Sequence, residues 1–70
     1  MEVAIINYET GTIEVLLNVD EAYIEEKYGG DVEDWLSSEQ DFNSDCYWIS
    51  SKKFQFKVRD LENDRLLVNI

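Results

Sequence analysis

The sequence contains no histidine, no proline and only one cysteine, and these gaps exclude several classes of protein. Without histidine, the chain lacks the side chain most often used as a general base and metal ligand near neutral pH. Cys46 has no second cysteine to pair with in the chain, and one thiol does not make a structural zinc site. We therefore predict a fold held by packing, with no cofactor and no enzymatic activity.

Positive charge is also scarce, and it is concentrated at one end of the chain. Six bases stand against 16 acids, which gives a net charge of −10. Residues 1–51 hold 13 acids and one base, Lys27, for −12, whereas residues 52–70 hold five bases and three acids, for +2. Nucleic acid and anionic membranes attract basic surfaces, so direct binding to either is disfavoured. We predict instead a basic protein surface as the partner, and a monomer kept apart by like charge.

The sequence pattern also indicates neither a linker nor a targeting segment. No proline, low-complexity run or repeat marks a boundary, so we predict one acidic domain over residues 1–70. The first residues lack the basic region and long apolar run of a signal peptide. Together with a single thiol, this pattern predicts a cytoplasmic protein.

Apolar and aromatic side chains are abundant. Hydrophobic residues make up 44% of the chain, including two Trp, four Tyr and three Phe. Disordered acidic chains are poor in such residues, so we interpret this chain as folded.

The first 20 residues have the pattern of a β-hairpin. Residues 2–8 are apolar and β-branched, which predicts a strand, and residues 9–11 predict a turn. Alternation then predicts a second, half-buried strand. The apolar residues that share one face of this strand are Ile13, Val15, Leu17 and Val19.

Two short helices are predicted next. Asp20 and Asp31 can each accept hydrogen bonds from the free N–H groups of a helix's first turn. Gly29 and Gly30 lie between them, and Gly29 is suited to the left-handed conformation that ends many helices. A single long helix broken at the glycines is the competing interpretation.

Three strands complete the pattern. Residues 46–49 predict one strand, and a second strand is predicted with Phe54, Phe56 and Val58 facing inward. The last strand has Leu66, Val68 and Ile70 on one face. The order ββααβββ predicts an α+β fold: an antiparallel sheet of about five strands with two short helices on one face. The order of strands within the sheet stays open.

One segment resembles a calcium loop. Asp41, Asn43 and Asp45 match the first half of the D-x-N-x-D ligand pattern. The sixth position needs glycine and the twelfth needs a bidentate glutamate, but these positions hold Cys46 and Lys52. A polar loop between helix and strand explains the segment equally well, so weak calcium binding is only an alternative function.

The leading hypothesis is a small, non-enzymatic accessory protein that binds a basic site on a protein partner. The helices would supply an acidic surface, and Trp48 an aromatic anchor, since tryptophan is common at binding hot spots. The predicted partner-binding residues are Glu21, Glu25, Asp31, Asp34, Glu39 and Trp48. A core shared by Trp35 and Trp48 is the alternative for the tryptophans. The alternative for the acids is a DNA mimic whose carboxylates imitate a row of phosphates.

Overall fold

The computed structural model of the chain describes residues 1–69, which form an α+β fold with two helices and five strands. Ile70, predicted to line the last strand, lies outside the described residues. The elements in chain order are β1 (Glu2–Asn7), β2 (Thr12–Leu16), α1 (Glu21–Tyr28), α2 (Val32–Glu39), β3 (Cys46–Ser51), β4 (Lys57–Asp60) and β5 (Arg65–Asn69). The predicted element order is therefore confirmed.

The first three strands form an antiparallel sheet in the order β2-β1-β3. The predicted hairpin of β1 and β2 is confirmed, and Gly11 lies in its turn with a φ of +72°. In the centre of the sheet, Ala4 of β1 pairs with Val15 on one side and Ile49 on the other. Strand β1 is thus held on both edges.

The prediction of one five-stranded sheet is wrong. Strands β4 and β5 pair only with each other and form a separate two-stranded sheet. The chain turns away from β3 in residues 52–56: the backbone of Lys53 exchanges hydrogen bonds with the Ser51 hydroxyl, and Phe54 N–H donates to Glu2 at 2.7 Å. The β4–β5 pair, which we call the C-terminal hairpin (residues 57–69), therefore does not extend the first sheet. Phe54 and Phe56, predicted to face inward from a strand, belong to this connection. Val58, predicted to face inward with them, is 48% exposed.

The ends of both helices follow the sequence. Asp20 accepts a hydrogen bond from Tyr23 N–H at 3.1 Å, and Asp31 accepts one from Asp34 N–H at 3.0 Å. Gly29 is left-handed, with a φ of 63°, and ends α1. The pattern thus gives two helices, and the interpretation as one long helix is wrong. Neither helix of the described part is long and apolar enough to cross a membrane.

The core lies between the helices and one face of the three-stranded sheet. Its buried residues are Val3, Ile5, Val19, Ile24, Trp35, Leu36 and Cys46. Leu36 is fully buried, and burial of a side chain of this size contributes about 2 kcal/mol. Trp48 packs against this cluster with Trp35 inside it, as the shared-core alternative predicted.

The molecule is elongated, with principal extents of 48 × 26 × 12 Å. Its radius of gyration is 14.5 Å, whereas a compact chain of this length is expected near 11 Å, so roughly a quarter of the radius reflects extension. Within residues 1–69, the core and the side chains packed on it include no residue after Trp48. The C-terminal hairpin therefore lies outside the core.

Candidate interaction surface

The carboxylates of the two helices are largely uncompensated. In the described part of the chain, two carboxylates form ion pairs with a lysine or arginine: Glu39 with Lys27 at 3.3 Å, and Asp64 with Arg59 at 3.0 Å. Within residues 1–69, the other helical acids form no ion pair with a lysine or arginine. We call the exposed and unpaired group the acidic helical surface. It consists of Glu21, Glu25, Glu26 and Asp34.

Glu39, one of the predicted partner-binding residues, is bound by other side chains of the same chain. The hydroxyls of Tyr23 and Tyr28 both donate to its carboxylate, and Lys27 donates to the Tyr23 hydroxyl at 3.0 Å. These four side chains connect α1 to α2. Since Glu39 and Lys27 neutralise each other, neither adds to the net charge that a partner meets.

The same cluster shifts the pKa values of its members. The hydrogen bond from Tyr28, followed by that from Tyr23, holds the pKa of Glu39 below its usual 4.5. The hydrogen bond to Tyr23, together with Glu39, raises the pKa of Lys27 above its ordinary value. The carboxylate therefore stays charged at lower pH than an isolated glutamate does.

Glu21 and Glu25 lie on one side of α1 and share a surface groove. The groove has a volume of about 250 Å³ and runs between the first residue and the start of α2. Its lining consists of Met1, Glu21, Ile24, Glu25, Gly30 and Val32. A Cβ at Gly30 would lie 2.5 Å from the Glu25 carboxylate, so glycine lets that side chain lie close to the backbone. The structure thus brings two predicted acids together over an apolar floor.

The two predicted acids at the start of α2 have different roles. The Asp31 carboxylate accepts the hydrogen bond that caps the helix, which fixes its position. Asp34 is exposed in the first turn and makes no ion pair with a lysine or arginine of residues 1–69. Asp34 is therefore available to a partner.

Trp48, the predicted aromatic anchor, lies at the edge of the core. It is half-buried, and its Nε1 donates to Glu33 of α2 at 3.2 Å. Its neighbour Tyr47 points to the opposite side of β3 and is 67% exposed. The sequence predicts opposite faces for these two rings, but only the pairing of Trp48 with the buried Ile5 determines which ring faces inward.

The sequence pattern does not predict an exposed apolar face on the sheet. The helices cover only the side of the sheet that carries Val3 and Ile5, so the other side has no covering layer within residues 1–69. We call this other side the open face. By alternation and register, it consists of Ala4, Ile6, Ile13, Val15, Tyr47 and Ile49. Ile13, Tyr47 and Ile49 are each more than half exposed.

The alternation in β2 could have revealed this face only if the covered side were known. The alternation predicts Ile13 and Val15 on a half-buried face with Val19. Instead, Leu16, which pairs with Val3, is the β2 residue that packs against the core. Period-two alternation shows that two faces differ, but it does not show which one the helices cover.

In the loop that resembles a calcium site, the central candidate ligand is Asn43, and its side-chain oxygen accepts hydrogen bonds within the loop. The Asn43 side-chain oxygen accepts from Asp45 N–H at 2.8 Å and from the Cys46 thiol at 3.6 Å. Asp45 in turn lies 3.5 Å from the Tyr8 hydroxyl. Residues 1–69 contain no cluster of three or more acidic, cysteine or histidine side chains arranged to hold a metal ion. The geometry is that of a polar turn leading into β3.

No protein-family model, curated protein or solved structure matches this chain. Its function therefore has to be inferred from the chemistry of the surfaces described above.

Proposed function

We propose that this protein is a non-enzymatic interaction protein that binds a basic site on a protein partner through the acidic helical surface. One observation carries the proposal. Lys27, the one lysine or arginine of residues 1–51, is already paired with Glu39, and within residues 1–69 no other acid of the two helices forms an ion pair with a lysine or arginine.

Charge of one sign on one layer favours association with a surface of the opposite sign. Such a field raises the rate of encounter and selects among partners, and it does so more than it tightens the final complex. The groove at Glu21 and Glu25 adds an apolar floor beneath two carboxylates. A lysine or arginine side chain suits such a site, because its methylene stem packs on apolar surface while its charge meets the acids.

The choice of docking over catalysis rests on the residue types. The sequence has no histidine, and the Cys46 thiol is buried. A reactive cysteine needs an exposed, electropositive environment, which the acidic surroundings of Cys46 do not offer. A single reduced thiol also suits the cytoplasm, where we place the protein as part of this proposal.

The proposal is tested with a matched pair of triple variants. The helix variant E21Q/E25Q/E26Q removes three acids from the acidic helical surface. The control E9Q/E14Q/E62Q removes three acids from the turns and β2. Proteins that bind to the wild type and to the control, but not to the helix variant, are identified and purified. Their dissociation constants are then measured directly.

We expect the helix variant to weaken binding about tenfold, since three exposed charges contribute roughly 0.5 kcal/mol each. The control should bind as the wild type does. Affinity of the wild type should also fall steadily as sodium chloride is added, because salt screens exposed charges. Equal losses in the two variants, or binding that is indifferent to salt, would show that the helices are not the docking site.

A further inference from the structure

Strand β3 forms one edge of the three-stranded sheet. It pairs with β1 on one side, and in the part of the chain that the structure describes no strand pairs with its other side. Tyr8 N–H donates to the Asp45 carbonyl at 3.1 Å, in the same register that joins β1 to β3. Because backbone groups alternate along a strand, those of Cys46, Trp48 and Ser50 point away from β1. They form the outer edge of the sheet.

Most of the backbone groups on this outer edge are available to another strand. The Cys46 N–H already donates to the Asn43 carbonyl at 3.1 Å. The groups that remain are the Cys46 carbonyl and the N–H and carbonyl groups of Trp48 and Ser50. Such a row of backbone groups is a template on which a further strand can pair.

Strand β3 also lacks the features that usually protect an edge. Natural proteins block edge strands with charged side chains, proline or a bulge. Residues Cys46–Ser51 include no charge and no proline, and their register on β1 is continuous. By contrast, the edge strand β2 has Glu14 at its centre, and β4 has three charged residues and a register shift after Val58. The edge of β3 is therefore the one open to strand addition.

The residues of β3 are complementary to those of a second, antiparallel copy. When the two Trp48 residues lie opposite each other, the outward groups of both copies align, because they are centred on this residue. The two Trp48 residues then exchange two backbone hydrogen bonds, and each Ser50 N–H donates to the Cys46 carbonyl of the other copy. Tyr47 and Ile49, which are 67% and 57% exposed, lie opposite each other twice. An aromatic residue opposite a β-branched one stabilises an antiparallel pair.

Opposite charges at the two ends of β3 favour a second copy over other extended segments. Asp45 precedes the strand, and Lys52 and Lys53 follow it. Within residues 1–69, none of these three side chains forms an ion pair. An antiparallel copy brings the acidic end of each strand beside the basic end of the other, whereas a uniformly basic segment would be repelled by the two lysines. The net charge predicts a monomer, but β3 itself is uncharged.

We propose that two copies of this chain form a two-fold symmetric dimer by antiparallel pairing of their β3 strands. The same edge is used by both copies, as two-fold symmetry requires, and the two three-stranded sheets become one sheet of six strands. The contact uses no residue of the acidic helical surface. The dimer therefore goes beyond the proposed function, and either can fail without the other.

The first test is the mass of the full chain in solution, measured by sedimentation and light scattering. Salt of about 0.15 M limits the repulsion between distant acids, since the screening length there is about 8 Å. The wild type should have twice the 8.2 kDa of one chain. A wild type that stays monomeric up to its highest soluble concentration would overturn the proposal.

A matched pair of proline variants locates the contact. Ser50→Pro removes an outward N–H of β3, a change that an edge strand tolerates. It should weaken the dimer at least about tenfold, because two hydrogen bonds are lost in each dimer. Ile13→Pro makes the same change on the outer edge of β2 and should leave the dimer intact. A folded Ile13→Pro chain that is monomeric, or a Ser50→Pro chain that dimerises as the wild type does, would overturn the proposal. Circular dichroism and tryptophan fluorescence report whether each variant is folded.

Cross-linking tests the register without weakening the contact. Opposite residues of this kind lie about 4.5 Å apart between their Cα atoms, within the range of a disulfide. An oxidised mixture of the Tyr47→Cys and Ile49→Cys chains should form a covalent heterodimer at least about tenfold faster than either variant forms a covalent homodimer. The native Cys46 is buried and is common to all three samples. Equal rates in the mixture and in the separate variants would overturn the proposed pairing.

Discussion

The chain contains two sequential antiparallel hairpins with very different surroundings. In the N-terminal hairpin of β1 and β2, Val3 is fully buried beneath the helices. In the C-terminal hairpin, Val58 occupies a comparable central position, paired with Val68, and is 48% exposed. Both have apolar strands joined by a polar turn. The difference shows that local sequence forms a hairpin, whereas the layers around it determine its contribution to stability.

The largest expected effect comes from the same substitution in both hairpins. Val3→Ala should lower the free energy of unfolding by about 2 kcal/mol, because it leaves a cavity in a packed core. Val58→Ala should lower it by less than about 0.5 kcal/mol in the dilute protein, since its side chain has few partners. Urea unfolding followed by tryptophan fluorescence compares them. Equal losses would mean that the C-terminal hairpin shares the core's cooperative unit.

Hydrogen exchange compares the two hairpins without any substitution. In dilute solution, the amides of β4 and β5 should exchange at least about tenfold faster than those of β1, because an unpacked hairpin opens easily. Protection equal to that of β1 would remove the distinction between the hairpins.

Acidic pH should destabilise the region that contains the helices. The pKa of Glu39 is lowered in the folded state by hydrogen bonds from Tyr28 and Tyr23, so its charged form stabilises the fold above the usual glutamate pKa of 4.5. That contribution is lost as pH falls through the lower, folded-state pKa. Melting curves between neutral and acidic pH should therefore show a steeper loss for the wild type than for Glu39→Gln.

The control for this experiment is Glu9→Gln, which removes a carboxylate that makes no ion pair with a lysine or arginine in the described residues. Its melting curve should follow that of the wild type as the pH falls. Parallel curves for the wild type and Glu39→Gln would show that the hydrogen-bonded cluster adds no pH-dependent stability.

Salt should produce the smallest effect. Unpaired carboxylates crowd the helices, and moderate sodium chloride screens their repulsion. We expect the melting temperature of the dilute protein to rise by about 2–4 °C, which corresponds to roughly 0.5 kcal/mol for a chain of this size. A steady fall with salt would mean that attractive pairs such as Lys27 with Glu39 outweigh the repulsion.

The sequence predicted local structure well because local chemistry determines it. Asp20 and Asp31 cap their helices as expected, and Gly29 ends α1 in the left-handed conformation. Each of these features depends on residues within four positions, so the pattern is sufficient. The acids of the candidate site were visible for the same reason, since exposed carboxylates on short helices need no tertiary information.

What the sequence could not show depends on contacts between distant residues. The connection that separates β4 from β3 includes a hydrogen bond between Phe54 and Glu2, which are 52 positions apart. The exposure of Tyr47 rather than Trp48 follows from the register of β3 on β1. The neutralisation of Glu39 needs Lys27 of the other helix, and two tyrosines of that helix donate hydrogen bonds to the same carboxylate. Neither the composition of the chain nor the alternation of apolar and polar residues along its strands indicates these long-range contacts.

The connection between the two regions has a practical consequence. Lys52 and Lys53 are adjacent and exposed in it, outside any strand pairing with the C-terminal hairpin. Trypsin cleaves after lysine and prefers exposed segments with little regular structure. A brief digestion would therefore cut the chain between its two sheets and release a C-terminal peptide whose three bases and three acids balance after cleavage at Lys53, while the tryptophan-containing fragment keeps every residue of the core.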